Sequence, residues 1–333
     1  GASAAMIAVI QASIMIWLGS AAGRLMGWTS TESFFVGAIV AISSTTIVVK
    51  AFNQHGVKGR LRDLVFGVLI VQDLIAILLM AVLTAVSTGA GVSPDALVTT
   101  MVRLAAFLFG IITVGLLLVP RAIRMIAGLN RSETTLIASM ALCFGAALLA
   151  KHAGYSVALG AFLSGSLISE SGEGRRVERL IEPIRDMFAA IFFVSVGMLI
   201  EPQLVSKYWV AIFVLSSVVI VGQTLSVSLG AFLAGKGIRT SIQAGLSLAQ
   251  IGEFSFILAG LGVSLRAAGE FLYPVAVSVS VLTTVVTPWL IRSSDRVASF
   301  VDRKLPHSIQ TFASLYGSWV DRLRAAPEQA SSG

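Results

Sequence analysis

Charge is scarce in this sequence. Only 12% of its 333 residues are Asp, Glu, Lys or Arg, 56% are hydrophobic, and the mean hydropathy is +0.89. An ordinary soluble domain carries about 25% charged residues, so water cannot be the solvent for most of this surface. Cysteine is nearly absent: Cys143 lies alone in an apolar run, which excludes a disulfide framework or a thiolate metal site. It reads as a small core residue. Histidine is equally sparse, and His55, His152 and His307 neither cluster nor fall at mid-span, so no transition-metal site is expected. No arrangement of nucleophile, base and oxyanion donors is visible, so the chain is not read as an enzyme, and no cofactor is expected. No cleavable signal peptide is expected in this sequence, because the first apolar run starts almost at Gly1 and is long enough to span a bilayer. That abrupt start reads as an N-terminally truncated chain.

What is abundant is apolar sequence in spanning lengths. A spanning helix needs about 20 mainly apolar residues, and ten such runs can be drawn, at about 4–26, 32–53, 63–87, 95–120, 132–151, 156–171, 187–203, 208–234, 240–265 and 269–291. The fold class is therefore all-α and polytopic. The net charge of +7 would fit a nucleic-acid partner only if it formed a patch. Instead, 18 of the 24 Lys and Arg residues fall in alternate loops and the tail, while the opposite loops hold Arg24, Lys151, Lys207 and Arg266. This positive-inside bias predicts a cytoplasmic C-terminus, with lipid as partner and no nucleic acid.

The transmembrane domain is expected over about residues 1–295, with a cytoplasmic tail over 296–333. Segment 172–186, GEGRRVERLIEPIRD, mixes both charges and predicts a helix lying at the headgroup surface. In the tail, Ile309, Phe312, Leu315, Trp319 and Leu323 recur at helical spacing, predicting a second amphipathic helix there, on the membrane surface or on a soluble domain. The second and ninth runs, FFVGAIVAISSTTIVVKAF and AGLSLAQIGEFSFILAGLG, carry small and polar residues where a lipid-facing helix would be continuously apolar. Broken helices at corresponding positions of two halves mark many secondary transporters. Runs one to three and eight to ten are accordingly expected to form a repeated core, over about 4–87 and 208–291, around intervening helices over about 95–203.

The intramembrane polar residues carry the function. Asp73 lies mid-span in GVLIVQDLIAILLM, with Gln72 beside it. An aspartate there costs about 2.5–3.5 kcal/mol to insert and usually faces an ion or proton path; the alternative is a structural hydrogen bond to another helix. Ser43, Ser44, Thr45 and Thr46 form a run of four hydroxyls, able to satisfy unwound backbone or to offer oxygen ligands, though such residues also simply bond to their own helix. Gln250, Gly252, Glu253 and Ser255 stand in the ninth run. Glu253 could ligate a cation or neutralise the positive end of a broken helix, and Gly252 permits the break. Gln223 and Gln11 are too polar to face lipid and read equally as interhelical hydrogen bonds or ion contacts. Lys50 and Arg103 lie near helix ends, where they can snorkel.

Four segments in order, AISSTTIVVK, VLIVQDLIAI, FFVSVGMLIEP and LSLAQIGEFSFIL, resemble Kef-type members of the monovalent cation/proton antiporter-2 family. The resemblance implies a sodium/proton antiporter-like fold, with an inverted repeat and two broken, crossed helices, moving in an elevator-like cycle. It also implies a homodimer in the full-length protein and a place in the bacterial inner membrane. By this resemblance the ion- and proton-binding set is Asp73, Gln72, Ser44, Thr45, Thr46 and Glu253, supported by Gln223, Ser43, Gln250, Gly252 and Ser255. Some relatives place a lysine where Gln223 stands, and its absence favours electroneutral exchange. Further N-terminal helices and a cytoplasmic nucleotide-binding domain, usual in such proteins, are not in this sequence.

The expected function is exchange of a monovalent cation, K+ rather than Na+, for H+, with the two competing for one carboxylate. The alternatives are a ligand-gated, channel-like potassium efflux pathway and a sodium-coupled symporter of organic solutes. A membrane anchor or sensor is the reading outside transport, and two mid-span acids argue against it.

Overall fold

Ser, Thr and Gly at mid-span interrupt two apolar runs, and the computed structural model, which describes residues 2–87, 94–153, 155, 157–198 and 202–304, places a backbone break at each. The first run divides into α2 (Ser30–Val40) and α3 (Thr45–His55). These follow α1 (Ala2–Leu25) and precede α4 (Arg60–Ser87). A capping box between Thr29 and Glu32 starts α2, satisfying backbone donors that no helical turn can reach. Ser44 caps α3, accepting from the Ile47 N–H at 3.3 Å. Gly56 ends α3 with φ 64°, a left-handed conformation that glycine adopts without a Cβ clash.

The later run divides into α12 (Ile238–Ser247) and α13 (Glu253–Ser264), followed by α14 (Leu272–Lys304). Before it come the short α9 (Pro202–Lys207), α10 (Trp209–Ser217), a π-helical turn over Val218–Gly222 and α11 (Gln223–Leu233). Together with residues 2–76, residues 202–304 form one compact unit. Its apolar core includes Ile7, Phe52, Leu69 and Leu248, all fully buried.

Within this unit the two broken segments share a set of spacings. A Cβ on Gly37 of α2 would collide with Ile16 O and Ser20 Oγ of α1, and one on Gly245 of α12 with Thr224 O and Ser228 Oγ of α11. The N-caps are Thr29 and Ser44 in the first segment, Gly237 and Gly252 in the second. Each residue of the second set stands 208 positions after its partner in the first. The two segments also enter from opposite ends. The start of α2 is tied to the α13–α14 loop by the Gly269 N–H donating to Glu32 at 3.1 Å, whereas the start of α12 shares a cleft with Arg60 and Asp63 at the start of α4.

The described residues between 77 and 198 form the second compact unit. It holds the end of α4 and four further helices: α5 (Pro94–Ala127), α6 (Ser132–His152), α7 (Val157–Ser169) and α8 (Gly174–Met198). Ile123, Ile168 and Val177 make a small core there. Many large apolar side chains stay exposed, Phe109 at 74% among them, as suits a surface solvated by lipid.

Among the described residues all regular structure is helical, and seven helical stretches are long and apolar enough to cross a membrane, counting the broken pair α2–α3 as one and α10–α11 with its π-turn as another. Ten spans were drawn from the sequence, and the difference has local causes. The run at 240–265 is two helices, each too short to span alone, and the one at 156–171 is the 13-residue α7. The surface helix expected at 172–186 and the span expected from 187 are one continuous helix, α8, with Pro183 inside it. The change from charged to apolar composition marks a change of surroundings there, not a break in the backbone. The amphipathic helix expected from Ile309 to Leu323 lies outside the described residues.

Candidate functional site

The two breaks meet. The Gly252 N–H donates to Ile42 O at 3.0 Å, and the Ser43 hydroxyl donates to Leu248 O at 2.9 Å. The Gln250 amide reaches Ser44 O at 3.5 Å, and the Ser255 hydroxyl donates to Ile39 O at 2.6 Å. Each unwound stretch thus supplies partners for backbone that the other leaves without helical hydrogen bonds, the condition for non-helical backbone away from water.

Glu253, the first residue of α13, accepts from the Ser44 hydroxyl at 2.9 Å on one carboxylate oxygen and from the Thr46 hydroxyl at 3.2 Å on the other. Its charge therefore lies at the N-terminus of α13 and against the first turn of α3, where two positive helix ends converge. Asp73 on α4 is half-buried and close enough to Glu253 for the two carboxylates to repel. Among the described residues it has no hydrogen-bond or ion-pair partner. Thr45, between the two hydroxyls that hold Glu253, keeps a buried hydroxyl that is also without a partner.

A second constellation stands on the other side of the first break. Gln11 of α1, Gln72 of α4 and Gln223 at the start of α11 are fully buried. The Gln11 amide nitrogen donates to Ala41 O at 2.8 Å and to Gln223 Oε1 at 2.7 Å, while its oxygen accepts from Gln72 Nε2 at 2.7 Å. Gln223 Nε2 donates to Val40 O at 2.9 Å, and Gln72 Oε1 accepts from the Ser43 N–H at 3.2 Å. Three backbone groups freed by the break are thus satisfied by three side-chain amides.

The expected site residues accordingly fall into groups. Ser44, Thr46 and Glu253 are joined by hydrogen bonds, with Asp73 and Thr45 nearby but unbonded. Ser43, Gln250, Gly252 and Ser255 hold the two breaks together. Gln72, expected in the ion-binding set, engages both ends of its amide with protein partners, as Gln223 does. Sequence reasoning gave no central place to Gln11, the hub of the amides, nor any place to α14. There the Ser280 hydroxyl approaches Ile251 O at 3.4 Å and the Thr287 hydroxyl approaches Gln250 Oε1 at 3.4 Å. The available signal was the series Ser278, Ser280, Thr283 and Thr287, four buried hydroxyls along one apolar helix.

Apolar helices of spanning length, together with a buried, charged and unwound centre in the first unit, define an integral membrane protein of the transporter class. Residues 1–292 match the family model described as the sodium/hydrogen exchanger, transmembrane, and the chain belongs to that family. It is 30% identical over 292 residues to the putative cation/proton antiporter YbaL of Escherichia coli (strain K12), covering 85% of this chain and 52% of that protein. It is 30% identical over 289 residues to K(+) efflux antiporter 4 of Arabidopsis thaliana, covering 85% and 49%. With the Na(+)/H(+)-K(+) antiporter GerN of Bacillus cereus the identity is 27% over 276 residues, covering 82% and 70%. These relatives are transporters, not enzymes, and they agree with the Kef-type resemblance read from the four motifs. The chain spans about half the length of the first two.

Proposed function

We propose that this chain forms the membrane domain of an antiporter that exchanges a monovalent cation, K+ in preference to Na+, for H+ at Asp73. The observation that carries this reading is the isolation of the Asp73 carboxylate. It has no protein partner among the described residues, yet it lies close enough to Glu253 for the two carboxylates to repel, and Glu253 is held by the Ser44 and Thr46 hydroxyls where the two backbone breaks meet. A carboxylate so placed can take a proton or a cation but not both at once, and that exclusion is antiport. Glu253 is already engaged by two hydroxyls, which leaves Asp73 as the carboxylate open to exchange. K+ is favoured because several similar proteins carry potassium in their names.

The shared spacing of 208 residues and the opposite entry of α2 and α12 support an inverted repeat with crossed, broken helices. On this reading α1–α4 and α10–α14 carry the cation in an elevator-like cycle. Exchange is electroneutral, since neutral Gln223 offers no second titratable group, and no cofactor enters the cycle. The full-length protein is a homodimer of the bacterial inner membrane with its C-terminus in the cytoplasm, on the side the basic loops favour.

The test is proton flux in proteoliposomes on adding K+ or Na+ with the membrane potential clamped. Wild type is expected to show cation-dependent proton movement and Asp73→Asn none, because an amide does not titrate. Retention of that flux by Asp73→Asn sinks the proposal, and cation conductance without proton movement favours a channel-like pathway.

A further inference from the structure

The three-glutamine cluster has one self-consistent orientation. A primary amide offers two N–H donors at one end and a carbonyl acceptor at the other, and which end is which follows from the groups it meets. Val40 O and Ala41 O can only accept, and the Ser43 N–H can only donate. Gln223 must therefore turn its nitrogen to Val40, leaving its oxygen toward Gln11. Gln11 must turn its nitrogen to Ala41, and the same nitrogen then meets the Gln223 oxygen. Gln72 must turn its oxygen to Ser43, leaving its nitrogen for the Gln11 oxygen. The observed contacts, from 2.7 to 3.2 Å, follow this pattern without a conflict. Gln11 alone touches both other glutamines, and it uses both of its N–H groups and its oxygen in doing so. Reversing its amide would set oxygen against the Ala41 and Gln223 oxygens and nitrogen against the Gln72 nitrogen.

Gln72 is the chain neighbour of Asp73, and Ala41–Ser44 is the unwound stretch whose last residue holds Glu253. The cluster therefore fixes the segment bearing the free carboxylate against the segment bearing the hydroxyls. Alkali cations carry the same charge and take the same oxygen ligands, so a site tells them apart by the number, spacing and field of those oxygens.

We propose that Gln11 is a positioning residue of the cation site: through Gln72 and Gln223 it locks the first break against α4, and this lock sets cation affinity and the preference between K+ and Na+, with Gln11 itself binding no ion. The proposal rests on the antiport reading of the same site.

The experiment uses the full chain in proteoliposomes, comparing wild type with Gln11→Leu, Gln11→Asn and Gln223→Leu. Proton flux is followed over a range of K+ and of Na+ concentrations, and thermal unfolding is recorded alongside. Leucine removes the amide, and asparagine keeps the chemistry but is one methylene short. A folded Gln11 variant is expected to raise the KM for the preferred cation about tenfold and to change the K+/Na+ ratio of KM values at least threefold, with the maximal rate altered much less. Gln11→Leu and Gln223→Leu should combine less than additively, because each already breaks their shared bond. Loss of stability with unchanged KM values and ratio in every folded variant overturns the proposal and leaves a packing role. Failure of the antiport reading is distinguished in wild type, which would then show no exchange. The clasp is read in that case from thermal stabilisation by added K+ or Na+. It stands if the variants change the concentrations needed, and falls if they do not or if neither cation stabilises wild type.

Discussion

Substituting Gly252 with alanine tests whether the two breaks must touch backbone to backbone. Gly252 has φ −108° and ψ −176°, an extended conformation open to any residue, so alanine introduces no torsional strain and the whole effect is steric. The added Cβ would stand 2.7 Å from Ser43 O and 2.9 Å from both Ser43 C and Ser44 Cα. All three are backbone atoms of the other break, with no flexible side chain to swing aside. Overpacking of this kind costs about 1–3 kcal/mol. Pushing the segments apart also stretches the Gly252 N–H···O Ile42 bond, worth about 0.5–1.5 kcal/mol. The expected loss is roughly 2–4 kcal/mol, or a melting temperature lower by on the order of 5–10 °C, with a higher KM for the cation because Ser44 and Glu253 face each other across this contact. Gly145→Ala is the control: it lies within α6 with nothing within 4 Å of its would-be Cβ, and should be neutral or slightly stabilising. The assay is thermal unfolding of the purified protein together with cation-dependent proton flux. A Gly252→Ala protein that melts and transports like wild type would refute the reasoning, since the breaks would then not need their close approach.

Further outcomes follow from the same geometry. Glu253→Gln removes the charge from the start of α13 but keeps one oxygen for a hydroxyl; stability should fall by about 1–2 kcal/mol, with flux reduced rather than abolished, and flux lost as fully as in Asp73→Asn would instead make Glu253 the exchanging carboxylate. Thr45→Val deletes a buried hydroxyl without a partner, so unfolding should be unchanged or improved by up to about 1 kcal/mol, while the cation KM should rise severalfold. An unchanged KM in that variant would remove Thr45 from the ligand set.

Much of this site was legible because polar residues in apolar runs are conspicuous. Asp73, the Ser43–Thr46 hydroxyls and Glu253 announce themselves against a background of Val, Ile and Leu, and Gly252 marks its own break. Gln11 was visible by the same contrast, but its meaning was not. Its partners lie 61 and 212 residues away, and nothing in its neighbourhood distinguishes a hub from an ordinary interhelical bond. The α14 hydroxyls were hidden by small size, since Ser and Thr can disappear into a helix by bonding to its own carbonyls, as Thr283 and Thr287 also do. The 208-residue spacing escaped notice because few letters keep it: Gly37 and Gly245, and Ser20 and Ser228, match, but Ser280 meets Ile251 where Gln72 meets Ser43, and serine does not resemble glutamine. In α8, hydropathy reported the surroundings of each half while the backbone ran on through both.

The clasp around the first break is built entirely from groups that hold no exchangeable charge. Acidify either side of the membrane, or make it alkaline, and Gln11, Gln72 and Gln223 present the same donors and acceptors to the same carbonyls. A device whose cargo includes the proton needs one part that answers to pH and a frame that is deaf to it. On the antiport reading proposed above, the listener and the frame would be neighbours in the chain, Asp73 and Gln72, separated by a single peptide bond.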